Sequence, residues 1–166
     1  MNIRKILEYA LEREREGKAF FENNAARLQN AAATQAFKAI AQEEQKHIEF
    51  IQAQLDLLDG KSGQQATAES KPSELAPTEY FANRAGKEMI EQTVQEAMVA
   101  DLPVLRMAYL IERDFSEFYA RAAAQAEGEP RQVLQMLADW ESGHERLFKS
   151  MHDQSFERYA GMPWGG

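Results

Sequence analysis

Apolar residues recur at three- and four-residue spacing along most of the chain, and four stretches carry that rhythm without an internal proline. The first runs from about Asn2 to Leu28, with Ile3, Leu7, Ala10, Phe21, Ala25 and Leu28 on one stripe. The second runs from about Thr34, a candidate N-cap, to Leu58 along Phe37, Ile40, Ile48, Ile51, Leu55 and Leu58, and Gly60 ends it. The third is expected to start at "ADLPVL", with Asp101 capping and Pro103 in the first turn, where its missing N–H costs nothing, and to reach about Ala126. The fourth starts around Pro130 and reaches about Asp153, along Val133, Leu137, Trp140, Phe148 and Met151. Almost nothing reads as strand. The prediction is an all-α four-helix bundle of two helical hairpins, occupying residues 1–153 and joined by a long crossover at about 60–101. A shorter helical piece is expected within that connection, from about Lys87 to Ala100. Residues 154–166 read as a tail, with Trp164 packed on its own chain or disordered.

The stripes are interrupted in an ordered way. On the second, Glu44 and His47 stand at positions the rhythm reserves for apolar residues, three apart and so on one side of a helix. The fourth repeats this E-x-x-H arrangement with Glu141 and His144. The first and third stripes carry one anomaly each, Glu14 and Glu112. The chain therefore contains a diverged repeat: "EREGKAFF" from Glu14 matches "ERDFSEFY" from Glu112, and the spacings to Glu44 and Glu141 are 30 and 29 residues. With turns near Ala31 and Gly128, a rise of ~1.5 Å per residue puts all six groups at one height, roughly 20 Å from a turn.

Composition narrows what such a layer can be. Four ionised carboxylates in a low-dielectric core are prohibitive unless compensated, and the stripes carry no lysine or arginine. Two divalent cations balance four negative charges, and two neutral imidazoles complete the donor set. With no cysteine in the chain, thiolate zinc sites, cysteine-ligated clusters and a cysteine nucleophile are excluded. Oxygen-rich ligands with two nitrogens suit iron, or manganese in a homometallic or mixed pair, better than zinc, which remains a possible occupant. The net charge of −8 argues against nucleic acid or an anionic membrane as partner, no window is apolar enough to span a bilayer, and the charged N-terminal stretch argues against export. A cytoplasmic protein is expected.

Other conspicuous residues read more plainly. Glu43 is expected to be a solvated neighbour of Glu44, and His152 a surface histidine near a helix end. Glu8, Glu12, Glu16 and Glu22 belong to an exposed face, and the methionines are read as core filler.

At these residues the sequence resembles the rubrerythrin-type, diiron-carboxylate branch of the ferritin-like superfamily, over about Ile3 to Met151. The resemblance implies that Glu14 and Glu112 are terminal carboxylates, that Glu44 and Glu141 bridge two iron ions, and that His47 and His144 each complete one shell. It also implies a catalytic role for Tyr119, the aromatic beside the centre, where the first repeat has Phe21. Two departures stand out: there is no cysteine for a rubredoxin-like module, and Tyr109 occupies the place of an extra carboxylate used in redox-linked ligand exchange. The resemblance implies an oxidoreductase acting on peroxide or dioxygen, with an external electron-donor protein and a homodimeric state. Iron handling and a non-enzymatic, metal-stabilised interaction module are the alternative functions.

Overall fold

The computed structural model describes residues 2–61 and 94–162, with the side chains of residues 94–99 excepted. Four helices account for nearly all of them: α1 (Ile3–Ala25), α2 (Ala31–Leu58), α3 (Val94–Ala124) and α4 (Gly128–Ala160). No strand occurs among the described residues, and none of their helices is long and apolar enough to cross a membrane. The helices pair as α1 with α2 and α3 with α4. The hairpins then face each other antiparallel: Tyr9 meets Phe118, Gly17 meets Phe115, and the backbone at Gln29 meets Asp101. Their two turns consequently lie at opposite ends of the bundle, and the common height expected for the six polar groups is its middle.

The helix boundaries show which local signals acted. Asn2 caps α1 by accepting from the Lys5 N–H at 3.3 Å. Asn30, not Thr34, caps α2, accepting from the Ala33 N–H at 3.0 Å, while the Thr34 hydroxyl donates back to the Asn30 carbonyl. Gly60 ends α2 as expected: at φ 65° it occupies the left-handed region, and Lys61 N–H bonds Asp56 O while Gly60 N–H bonds Leu57 O.

The start of the third helix departs from expectation. Helix α3 is already running at Val94, so the end of the separate Lys87–Ala100 piece belongs to it, and Pro103 sits in its interior, exposed. Asp101 caps a different element. Its buried carboxylate accepts from Gln29 N–H at 3.0 Å and Asn30 N–H at 2.8 Å, fastening the α1–α2 turn to α3. Helix α4 runs past Asp153 to Ala160, because no breaker precedes Gly161. The rest of the expected crossover, residues 62–93, and Trp164 lie outside the described residues.

The core is divided in two. One cluster gathers Phe21, Leu28, Phe37, Ile40, Leu105, Phe148 and Met151 near the α1–α2 turn. The other gathers Leu7, Leu11, Ile51, Leu55, Leu134 and Leu137 toward the opposite end. Each fully buried large side chain contributes about 1.5–3 kcal/mol of transfer free energy, so both ends are held independently of what lies between. Leu58, expected on the stripe, is 46% exposed, and Met107 is exposed while Met151 is core.

Candidate metal centre

Between the two apolar clusters lie Glu14, Glu44, His47, Glu112, Glu141 and His144. The four carboxylates are 0% exposed and the imidazoles 1% and 8%, whereas Glu8, Glu12, Glu16 and Glu22 on the outer face of α1 lie in solvent. All six sequence-derived ligand candidates are therefore brought together in one layer.

Their geometry divides into two overlapping sets. Ligand atoms of Glu14, Glu44, His47 and Glu141 lie within 4.8 Å of one another, and so do those of Glu44, Glu112, Glu141 and His144. The shared residues face both ways. Glu44 points Oε2 at His47 Nδ1 (3.4 Å) and Oε1 at His144 Nδ1 (3.3 Å). Glu141 points Oε1 at His47 Nδ1 (2.9 Å) and Oε2 at His144 Nδ1 (3.4 Å). Glu14 and Glu112 each approach a single imidazole, at 3.2 and 3.4 Å.

Hydrogen bonding does not satisfy this layer. Both oxygens of Glu44, Glu112 and Glu141, together with His144 Nδ1, are buried without a hydrogen-bond partner. Orphaned buried polar atoms cost about 1–3 kcal/mol each, and more when charged. Buried oxygens and imidazole nitrogens converging from four helices form the donor set that a pair of oxygen-preferring cations requires, so the residues fit a dinuclear metal site.

The electrostatics has the same symmetry. Burial, then the neighbouring carboxylates, pushes Glu14 well above the usual carboxylate range. Burial does the same to Glu112, with the charge of Glu44 adding to it. Burial also pushes at Glu44 and Glu141, but the two imidazoles outweigh it and hold both below that range. Burial works against a charged imidazole at His47 and His144, yet the surrounding carboxylates lift both well above the usual histidine range. The shifts that favour a bound proton thus fall on Glu14, Glu112, His47 and His144, and those that oppose it fall on Glu44 and Glu141.

Tyr119 lies against the first set. It is 1% exposed, and its hydroxyl donates a short hydrogen bond to Glu14 Oε1, leaving Oε2 toward His47. Burial, then the charge of Glu14, pushes its phenol well above its ordinary value, so it stays protonated. Phe21, Phe37 and Phe148 close the layer on one side, with centroids 5.1–5.2 Å apart.

Several neighbours differ from expectation. Glu43 is not solvated: it is 6% exposed, with Oε1 2.7 Å from Lys46 Nζ, so the adjacent lysine supplies the partner that water was expected to be. His152 is half-buried, its ring edge-on to Tyr109 and stacked on Phe156. Tyr109 lies under the Arg113 guanidinium, 5.6 Å from ring centroid to carbon. The stripe reading gave Trp140 a packing role only, yet its indole stacks on His47 with centroids 5.1 Å apart and planes 11° apart. The available signal was its place immediately before Glu141, where the first repeat carries Glu43.

No curated protein and no solved structure matches the chain. The sequence model of one family, Rubrerythrin, does match, and it covers residues 5–152, which include most of both hairpins and all six converging side chains. With nearly its whole length inside that match, the chain belongs to the rubrerythrin family.

Proposed function

We propose that the protein is a diiron oxidoreductase that reduces peroxide or dioxygen with electrons from an external donor protein. The observation that carries this reading is the double-facing geometry of Glu44 and Glu141, each of which offers one oxygen toward His47 Nδ1 and the other toward His144 Nδ1. Two carboxylates so placed would bridge a pair of ions. Glu14 and Glu112 would be terminal ligands, and His47 and His144 would each complete one shell. An oxygen-dominated set with two imidazoles favours iron, and a bridged iron pair supplies two electrons at one place to a two-electron oxidant.

The remaining chemistry belongs to the chain. Tyr119 fixes Glu14 by taking one of its oxygens, and it holds a proton at the phenol oxygen beside the centre, where reduced oxygen needs one. The rings of Phe21, Phe37 and Phe148 keep bulk water from one side of the layer. On the α1–α3 side a cavity of about 370 Å³ is lined by Tyr9, Arg13, Gly17, Phe115 and Phe118. Gly17 and Phe115 stand one helical turn from Glu14 and Glu112, which supports this side as the approach for a small oxidant.

The test is metal analysis of gently purified protein beside its absorption spectrum, followed by anaerobic reduction and mixing with peroxide or dioxygen. Two irons per chain, a ferric absorption that bleaches on reduction, and repeated rapid reoxidation are expected. Absence of any redox metal after anaerobic iron loading would remove the reading. Uptake of many irons per chain, with no catalytic cycling, would replace it with iron handling.

A further inference from the structure

The repeat that assembles the six polar groups is broken around them, and broken on one side. Seven residues after Glu112 stands Tyr119, whereas seven after Glu14 stands Phe21. Immediately before Glu141 stands Trp140, whereas immediately before Glu44 stands Glu43. Because the helices exchange neighbours across the bundle, both unmatched rings fall on the same half of the layer. Tyr119 bonds Glu14, and Trp140 stacks on His47. At the corresponding positions of the other half, Phe21 packs face to face on Phe148 and Glu43 pairs with Lys46.

Tyr119 and Trp140 are not equivalent. Tyr119 is sealed from solvent, whereas Trp140 is partly exposed. The indole is the outer member of a column of nearly parallel rings that continues from His47 to His144, with centroids 5.4 Å apart and planes at 12°. Phe50 meets the indole edge-on at 5.4 Å and holds its orientation. One through-space contact therefore separates a solvent-reached π system from an imidazole of the buried layer.

We infer that Trp140 is the port through which electrons enter, at the Glu14/His47 position rather than the Glu112/His144 position; the inference rests on the redox reading above. The donor is a one-electron carrier protein of the iron–sulfur or flavin class. Each donor molecule loses one electron as one ferric ion becomes ferrous, so two donors reset the pair. The indole bridges the transfer, and none of its bonds forms or breaks.

The test uses the full chain carrying Trp164→Phe, which leaves Trp140 as its one tryptophan. Into this parent are placed Trp140→Phe, which keeps a ring on His47, and Trp140→Leu, which keeps bulk without π electrons. Iron content, Trp140 fluorescence on iron loading, and stopped-flow bleaching of the ferric absorption by a reduced [2Fe–2S] ferredoxin are measured. The parent's fluorescence should be quenched as iron enters. All three proteins should bind the same iron, the Phe variant should keep the fast phase of reduction, and the Leu variant should lose it. A Leu variant that holds full iron and is reduced as fast as the parent overturns the port and leaves the proposed function standing. Loss of iron from both variants also overturns it, because Trp140 would then be only a wall for His47. A parent that binds no redox-active iron overturns the function itself, and the port with it.

Discussion

Replacing Glu44 or Glu141 by alanine takes an oxygen from each of the two donor sets at once. Either variant should therefore bind neither ion, whereas Glu14→Ala or Glu112→Ala should weaken one position first. Metal analysis at matched loading distinguishes these outcomes, and a Glu44→Ala protein that retains a single tightly bound ion would contradict bridging. Tyr119→Phe keeps the ring but leaves Glu14 Oε1 buried and unpartnered, which costs about 1–3 kcal/mol. It should lower the melting temperature while both ions still bind. Gly17→Ala would place a methyl 3.0 Å from Phe115 Cε2 and shift that ring, and with it the lining of the α1–α3 cavity. At this scale the sequence was most legible where a residue violated its own helix's pattern. Glu14, Glu44, His47, Glu112, Glu141 and His144 all did so, and all are buried together. Glu43 and Trp140 were misread because their environment comes from a side chain alongside or from another helix, and periodicity records neither.

At the scale of elements, Asp101 carries the sharpest expectation. Its carboxylate serves the backbone of the α1–α2 turn, where hydrogen bonds to a charged group are worth about 1.5–3 kcal/mol. Asp101→Ala should destabilise the fold by about that amount in denaturant titrations and leave the ion stoichiometry unchanged, because the residue lies at the turn end and not in the ligand layer. A loss below about 0.5 kcal/mol, typical of a surface substitution, would refute this role. The helices and their pairing were legible from periodicity and loop length, but two termini were not. An aspartate two residues before a proline carries the signature of a helix start, yet α3 runs through it, and Pro103 costs α3 a hydrogen bond on its exposed side. The C-terminus of α4 was placed too early because the pattern thins after Met151, while the chain offers no glycine or proline until Gly161.

For the whole molecule, ions entering the buried layer would compete with protons for the same lone pairs. Glu14, Glu112, His47 and His144 all have their proton affinities raised, so they keep protons at pH values where ordinary glutamates and histidines would lose them. Loading two dications should expel up to about four protons, and apparent affinity should rise with pH from the carboxylate range to beyond the usual histidine range. Calorimetry in buffers of different ionisation enthalpy measures that release, and an affinity independent of pH would contradict it. Chelation should lower the melting temperature, since ion at a hundred times its dissociation constant adds about 2.7 kcal/mol to the folded state. The two apolar clusters should nonetheless keep the stripped chain helical by circular dichroism. One further consequence follows from where the ligands originate. Each hairpin brings two carboxylates and one imidazole, and it completes its own set only by borrowing the other's bridging glutamate. Slippage of one hairpin against the other by one turn, ~5.4 Å, would carry Glu44 and Glu141 away from the opposite imidazoles and dissolve both sets together. Ion capture would thus be a proofreading step for assembly: it would reward the one register in which the halves are mated correctly and withhold its stabilisation from every near miss.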